Sequence, residues 1–172
     1  NQHGISSGIL EGYGMFREMR RKSRAVGDAE AKALLHSARI GILAVNGDGG
    51  YPYAVPVNYL YDEENDRIIF HGARAGHKAD ALNASDRVCF TVYGNEVVKK
   101  ESWAPFVQSV VAFGRCRPLQ KPDEALDALT RLALKYYPNM DEVDREIQKS
   151  GEAVRVFEIQ IEHMRGKEIQ EK

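Results

Sequence analysis

Cysteine is scarce in this chain: Cys89 and Cys116 are the only two among 172 residues, and each sits inside an apolar run. That count excludes a disulfide framework and predicts free, buried thiols in a reducing, cytoplasmic setting. Neither cysteine has a histidine pair nearby, and no His/Cys/Asp/Glu cluster has metal-ligand spacing, so no metal centre is expected. An excess of one charge is also missing. The 24 Lys and Arg against 25 Asp and Glu give a formal net charge of -1. Nucleic-acid and membrane-surface binders need a clustered excess, so neither partner is expected. No stretch approaches the ~18 consecutive apolar residues of a membrane span. The Gly-x-Gly-x-x-Gly fingerprint of a dinucleotide fold is absent. Residues 1–14 are rich in glycine and serine without the apolar core of a signal peptide, and are expected to form a flexible segment outside the fold.

What is present is an ordinary globular balance, 43% apolar and 28% charged, read as one domain over residues 15–172. The basic stretch Phe16–Arg24 reads as a short helix or arm on the surface. Asp28 as N-cap, with Ala31, Leu34, Leu35 and Ala38 at helical spacing, predicts a short amphipathic helix. Arg39–Asn46 is apolar on both faces and is expected to be covered on both sides. A glycine-rich turn leads into Tyr51–Tyr61, where Tyr51, Tyr53, Val55, Val57, Tyr59 and Tyr61 share one side and Pro52 and Pro56 the other. Proline donates nothing to a ladder, so this strand must lie at an edge, bulge, or face a ligand.

A second turn at 62–66 leads to strand Arg67–Gly72 and then to a helix over 77–84. Strands Arg87–Tyr93 and Phe106–Leu119 flank an irregular stretch ending at Pro105. Pro122-Asp123-Glu124 opens a helix with an expected buried stripe of Leu126, Leu129, Ala133 and Tyr136, ended by Pro138. A shorter helix over 141–149 and a last strand, Ala153–His163, complete the chain. Mostly antiparallel strands with few helices predict a closed barrel, because closure removes exposed edges.

The chemistry concentrates in Phe70–Leu82, where a strand ends, a glycine-bracketed turn follows and a helix begins. Arg74, His77 and Lys78 crowd that helix start, where the macrodipole favours anions by about 0.3–1 kcal/mol per charge. A bound phosphate among them accounts for the pattern; so does a chance basic turn, and the residues alone leave both open. Val55-Pro56-Val57-Asn58-Tyr59 offers a flat wall with unpaired backbone groups, suited to a planar heteroaromatic ring, though a bulged edge strand is the plainer account. His71 sits at a strand end beside Gly72, where a lone histidine is more often structural. His36 and His163 read as structural or surface residues.

Several motifs in order resemble the 5-nitroimidazole-resistance (Nim) related proteins of the pyridoxamine 5'-phosphate oxidase-like superfamily. They are Met15–Arg21, Leu43–Gly47, Tyr51–Pro56, Phe70–Ala73, Gly76-His77-Lys78, Phe113-Gly114-Arg115 and Arg165-Gly166-Lys167. The resemblance implies a mainly β fold, a six-stranded antiparallel split β-barrel with peripheral helices. It further implies a homodimer with FMN, or FAD, at the subunit interface. The phosphate would rest on Arg74, His77 and Lys78. The ring would lie along Ala54, Val55, Pro56, Val57 and Asn58, and along Ile69, Phe70, His71 and Gly72. The partner subunit would lend Trp103, Phe106 and Ser109, and His71 and His77 are the candidates for catalytic contact. The implied activity is reduction of small electron-poor compounds, nitroaromatics or quinones. A pyridoxine-type phosphate oxidase and a non-catalytic flavin or haem module are the alternatives. Residues 96–105 depart from the family's commoner wording, which leaves the substrate open.

Overall fold

The computed structural model describes residues 15–101 and 104–170. In chain order these form α1 (Asp28–Ser37), β1 (Gly41–Asn46), β2 (Pro52–Val57), β3 (Tyr59–Asp62), β4 (Arg67–Ala73), α2 (His77–Ala84), β5 (Arg87–Lys99), β6 (Ala104–Pro118), α3 (Pro122–Leu134), α4 (Met140–Ser150) and β7 (Val154–Gln170). The seven strands make one antiparallel sheet in the order β2-β1-β5-β6-β7-β4-β3. β2 and β3 stand at opposite ends of that order, yet only Asn58 separates them in the chain. The sheet therefore curls until both ends share one bent strand, which is how this split barrel closes. The unbroken alternation of Tyr51–Tyr61 predicts one strand there and six in all, whereas the described residues form seven because that run divides at Asn58. Asn58 is the point where pairing passes from β1 to β4.

Leu43, Tyr59, Ile68, Phe70, Phe90, Val110 and Ile159 fill the barrel. A smaller cluster of Ile69, Ala128, Leu132 and Val156 fixes α3 on the outer face of β4 and β7. This corrects the expected stripe of that helix: Leu126 is 53% exposed, while Ala128 and Leu132 are buried. α3 lies close to the sheet, and a small side chain is what fits at the contact. β1 is fully covered on one face only, through Gly41, Leu43 and Val45.

β5 does not end at Tyr93. It passes through a bulge between Gly94 and Val97, with Asn95 at φ 55°, and pairs on to Lys99. β7 likewise runs past His163, its ladder with β6 reaching Gln170 opposite Phe106. Gly114 of the Phe-Gly-Arg motif sits at a second irregularity, where a Cβ would strike the carbonyl oxygen of Gln160. The basic arm is strapped down as well as solvated: Phe16 stacks on His163 at 4.9 Å and Phe113 at 5.5 Å, and Ala25 bridges Lys167. Both cysteines are free, Cys116 buried and Cys89 half-buried. Among the described residues no helix is long and apolar enough to cross a membrane.

Candidate functional site

β4 divides the predicted site residues by face. Phe70 and Gly72 point into the barrel, Ile69 is buried beneath α3, and His71, next along the outer face, faces the cavity below α3 and α4 while part of its side chain stays open to solvent. The register Tyr59–Phe70 brings Asn58 beside His71. Together they floor a cavity of about 200 Å³ walled by Leu132 and Tyr136 at the end of α3, Ile147 and Glu146 of α4, and Val154. Partial burial, and then the charge of Lys78, push the His71 pKa below its usual value, so the neutral ring is favoured.

Tyr136 fixes this floor. Its hydroxyl donates to the carbonyl of Arg39 at 2.6 Å and accepts the N–H of Tyr59 at 2.9 Å. One side chain thus satisfies backbone groups on both sides of the crossover at Asn58. Helical spacing alone places Tyr136 only in a buried stripe. No periodicity announces a hydroxyl aimed at a strand junction, and the adjoining Pro56 and Asn58 were the available hint.

β2 has β1 as its only described partner, so it lies at an edge, as its prolines require. Ala54, Pro56 and Asn58 are exposed on its outer face, whereas Val57 is buried and Val55 half-buried against the core. A planar ligand on that wall would meet Ala54, Pro56, Asn58 and His71. Val55, Val57, Phe70 and Gly72 would shape it from behind.

The three predicted cations leave the end of β4 in three directions. Arg74 donates from Nε to the carbonyl of Glu152 at 3.0 Å. His77 stacks on Tyr53 with ring centroids 4.0 Å apart and faces Asp48 at 3.8 Å. Lys78 lies half-buried, its Nζ 5.8 Å from the Phe70 ring centre, with no carboxylate partner among the described residues. Its amine occupies space that Gly72 leaves open: a Cβ there would come within 2.9 Å of Cε and Nζ. Burial pushes the Lys78 pKa down, the mark of an ammonium short of compensation. α2 starts at Gly76, φ 117°, without a side-chain cap, so its first amides are also available. An uncapped helix start beside a half-buried ammonium without a carboxylate partner among the described residues, and a bare strand edge, suit a phosphorylated planar ligand.

Phe106 and Ser109 are half-buried on β6, opposite Gln170 and Lys167 of β7, whereas β4 pairs with the other end of β7, Val154–Gln160. Within one chain they do not join His71 or Lys78. Trp103 lies outside the described residues.

The family model described as pyridoxamine 5'-phosphate oxidase matches residues 27–168. No curated protein matches the sequence. Among solved structures, the chain is similar to a candidate 5-nitroimidazole antibiotic resistance protein from Bacteroides thetaiotaomicron. That likeness has TM-score 0.70 and 20% identity, covering 84% of this chain and 85% of that one. It is also similar to a FAD-binding protein from Mesorhizobium loti, with TM-score 0.60, 24% identity and coverage of 85% and 97%. A FAD binding protein from Mycobacterium smegmatis gives TM-score 0.59 at 14% identity, with coverage of 86% and 99%. At these identities the structural likeness establishes the fold.

Proposed function

The chain belongs to the pyridoxamine 5'-phosphate oxidase family, and on that premise we propose that it is a flavin-dependent oxidoreductase acting on small electron-poor compounds such as nitroaromatics or quinones. The observation that carries the cofactor reading is Lys78, a half-buried ammonium without a carboxylate partner among the described residues. Removing a charge from water costs several kcal/mol unless a counter-charge is supplied, and a flavin phosphate supplies it. The FAD-binding proteins of the same fold favour this reading over an empty pocket.

When bound, FMN or FAD supplies the electron transfer itself. The chain's own residues bind, orient and exclude water. Lys78, the open amides of α2 and Arg74 hold the phosphate end. The outer face of β2, with its unpaired edge, holds the ring end. His71, kept neutral, has one nitrogen to donate and one to accept, and it lies where a substrate in the cavity meets that wall. Among the described residues Glu146 is the cavity's one acidic wall residue and no Lys or Arg lines it, so a phosphorylated substrate meets no counter-charge from them there. That favours an uncharged substrate over a pyridoxine-type phosphate.

We assign the working form to a homodimer. Tyr93, Val97 and Val98 of β5 leave apolar surface exposed, Val98 at 66%. Phe106 and Ser109 reach the ring only from a partner subunit. Light scattering on the purified protein tests the assembly, and a monomer that holds flavin contradicts it.

The cofactor reading is tested by Lys78→Glu. Reversing that charge removes a charge-assisted contact and adds repulsion, about 3 kcal/mol together, a ~100-fold rise in Kd for flavin. A folded variant that purifies fully loaded ends the assignment. Turnover with excess reductant separates an enzyme from a flavin carrier, whose bound flavin never cycles.

A further inference from the structure

We infer that the cavity floored by Asn58 and His71 selects a single ring with an acceptor group at one end and an N–H or O–H donor at the other, and that Glu146 of α4 is the residue that reads the donor. The inference rests on the function proposed above, which puts the substrate in this cavity. At about 200 Å³ the space is somewhat larger than the ~150 Å³ that holds benzene, so one substituted ring fills it.

The polar groups of the cavity stand at two poles. On the floor, the Asn58 amide both donates and accepts, and the neutral ring of His71 keeps one N–H to give. On the roof are Glu146 and Ser150, four residues apart and therefore on one face of α4. The walls between them, Leu129, Leu132, Ile147 and Val154, are apolar.

The two poles differ in what they offer. An ionised carboxylate only accepts, and Ser150 Oγ donates to Glu146 Oε1 at 3.1 Å, which leaves Oε2 for a ligand. That bond uses the one proton Ser150 has, so these two roof groups present acceptors alone. Glu146 is half-buried, and a carboxylate held away from water loses solvation with no return when it meets a methyl group. A ring bearing a nitro or carbonyl group therefore sets that group on the floor, beside the β2 wall assigned to the flavin ring. Its amino or hydroxyl group goes to Glu146. In the reverse pose a nitro group would face the carboxylate, acceptor against acceptor. Glu146 thus decides which end of the substrate reaches the floor as well as which substrates are held.

The test is isothermal titration of the flavin-loaded protein with 4-nitroaniline and with 4-nitrotoluene, which differ only by an amino group against a methyl group of nearly the same size. The aniline is expected to bind about 10-fold more tightly, the lower end of what one hydrogen bond to a charged group supplies. Glu146→Leu is expected to abolish that preference. Glu146→Gln keeps a carbonyl acceptor and is expected to retain about 3-fold of it. Equal wild-type affinities, or a preference that survives in Glu146→Leu, overturn the assignment of Glu146 while the flavin reading stands. A wild type that shows the preference but reduces neither compound with excess reductant keeps the recognition and overturns the function proposed above.

Discussion

The two ends of β4 lie under the same helical layer and are built in opposite ways. At its start, Arg67 donates to Asp62 at 2.9 Å, Glu158 at 2.9 Å and Glu124 at 3.1 Å, and Arg131 reaches Asp62 at 3.2 Å. Asp62 is 1% exposed and Arg67 8%. These pairs tie β3, β4 and β7 to both ends of α3. At its finish, His71 faces a cavity, Lys78 has no counter-ion among the described residues, and the roof is α4, of which only Val143 is fully buried. Charges are compensated where the fold must hold and left uncompensated where a ligand is expected. The same strand therefore carries a structural anchor and a binding site about four residues apart.

The largest expected effect breaks the anchor. Asp62→Ala leaves Arg67 with two carboxylates but strips Arg131 of its contact, so a loss of about 3 kcal/mol is expected, the low end for breaking a buried pair. Urea unfolding measures it; a loss below about 1 kcal/mol would show the network to be ornamental. Its pH signature is separate. Burial alone would raise the Asp62 pKa, but hydrogen bonds from Arg131, Asn65 and Arg67 overrule it and hold the carboxyl at about 2. A depressed carboxyl stabilises the fold above its unfolded pKa near 4 and loses that contribution as pH falls toward 2. In Asp62→Asn this acid-dependent loss should disappear.

A smaller effect sharpens the comparison at the site end. Tyr136→Phe deprives the Tyr59 N–H and the Arg39 carbonyl of their hydroxyl partner, at a cost of about 1.5 kcal/mol. Because the crossover at Asn58 is the part released, flavin affinity should fall along with stability. A variant that loses stability but keeps flavin affinity would make Tyr136 a purely structural staple.

Much of the barrel was legible because apolar alternation survives in strands with one buried face, as in Val88, Phe90 and Val92 of β5. The extensions of β5 and β7 were not, since residues such as Glu96, Glu168 and Gln170 lie on the projecting ends, where no core imposes a pattern. The split at Asn58 was hidden for a different reason. Val57 and Tyr59 keep their alternation through the bend, and only the pairing partner changes. At the site, Arg74, His77 and Lys78 stood out as wrong-sign charges at a helix start bracketed by glycines. Glu146 did not, because its place over His71 is a fact of packing, made by residues far apart in the chain.

The smallest expected effect concerns His71 and the cavity it faces. Its pKa is lowered first by partial burial under α3 and α4 and then by Lys78 across the strand. Well above 6.5 the ring is therefore uncharged in both folded and unfolded chains and adds no pH dependence to stability. Below the unfolded value near 6.5 the unfolded chain takes up a proton that the folded chain resists, so stability falls as pH drops through that window. The window lies well above that of Asp62, and the two ends of β4 can be titrated apart. Ring-proton NMR should place the His71 midpoint below 6.5. Lys78→Gln should raise it only in part, because burial remains. A midpoint at or above 6.5 in the flavin-free protein would mean that α4 stands off the site and leaves His71 to water. The cavity would then be an open cleft, and the neutral histidine assigned to substrate contact would lose its physical basis.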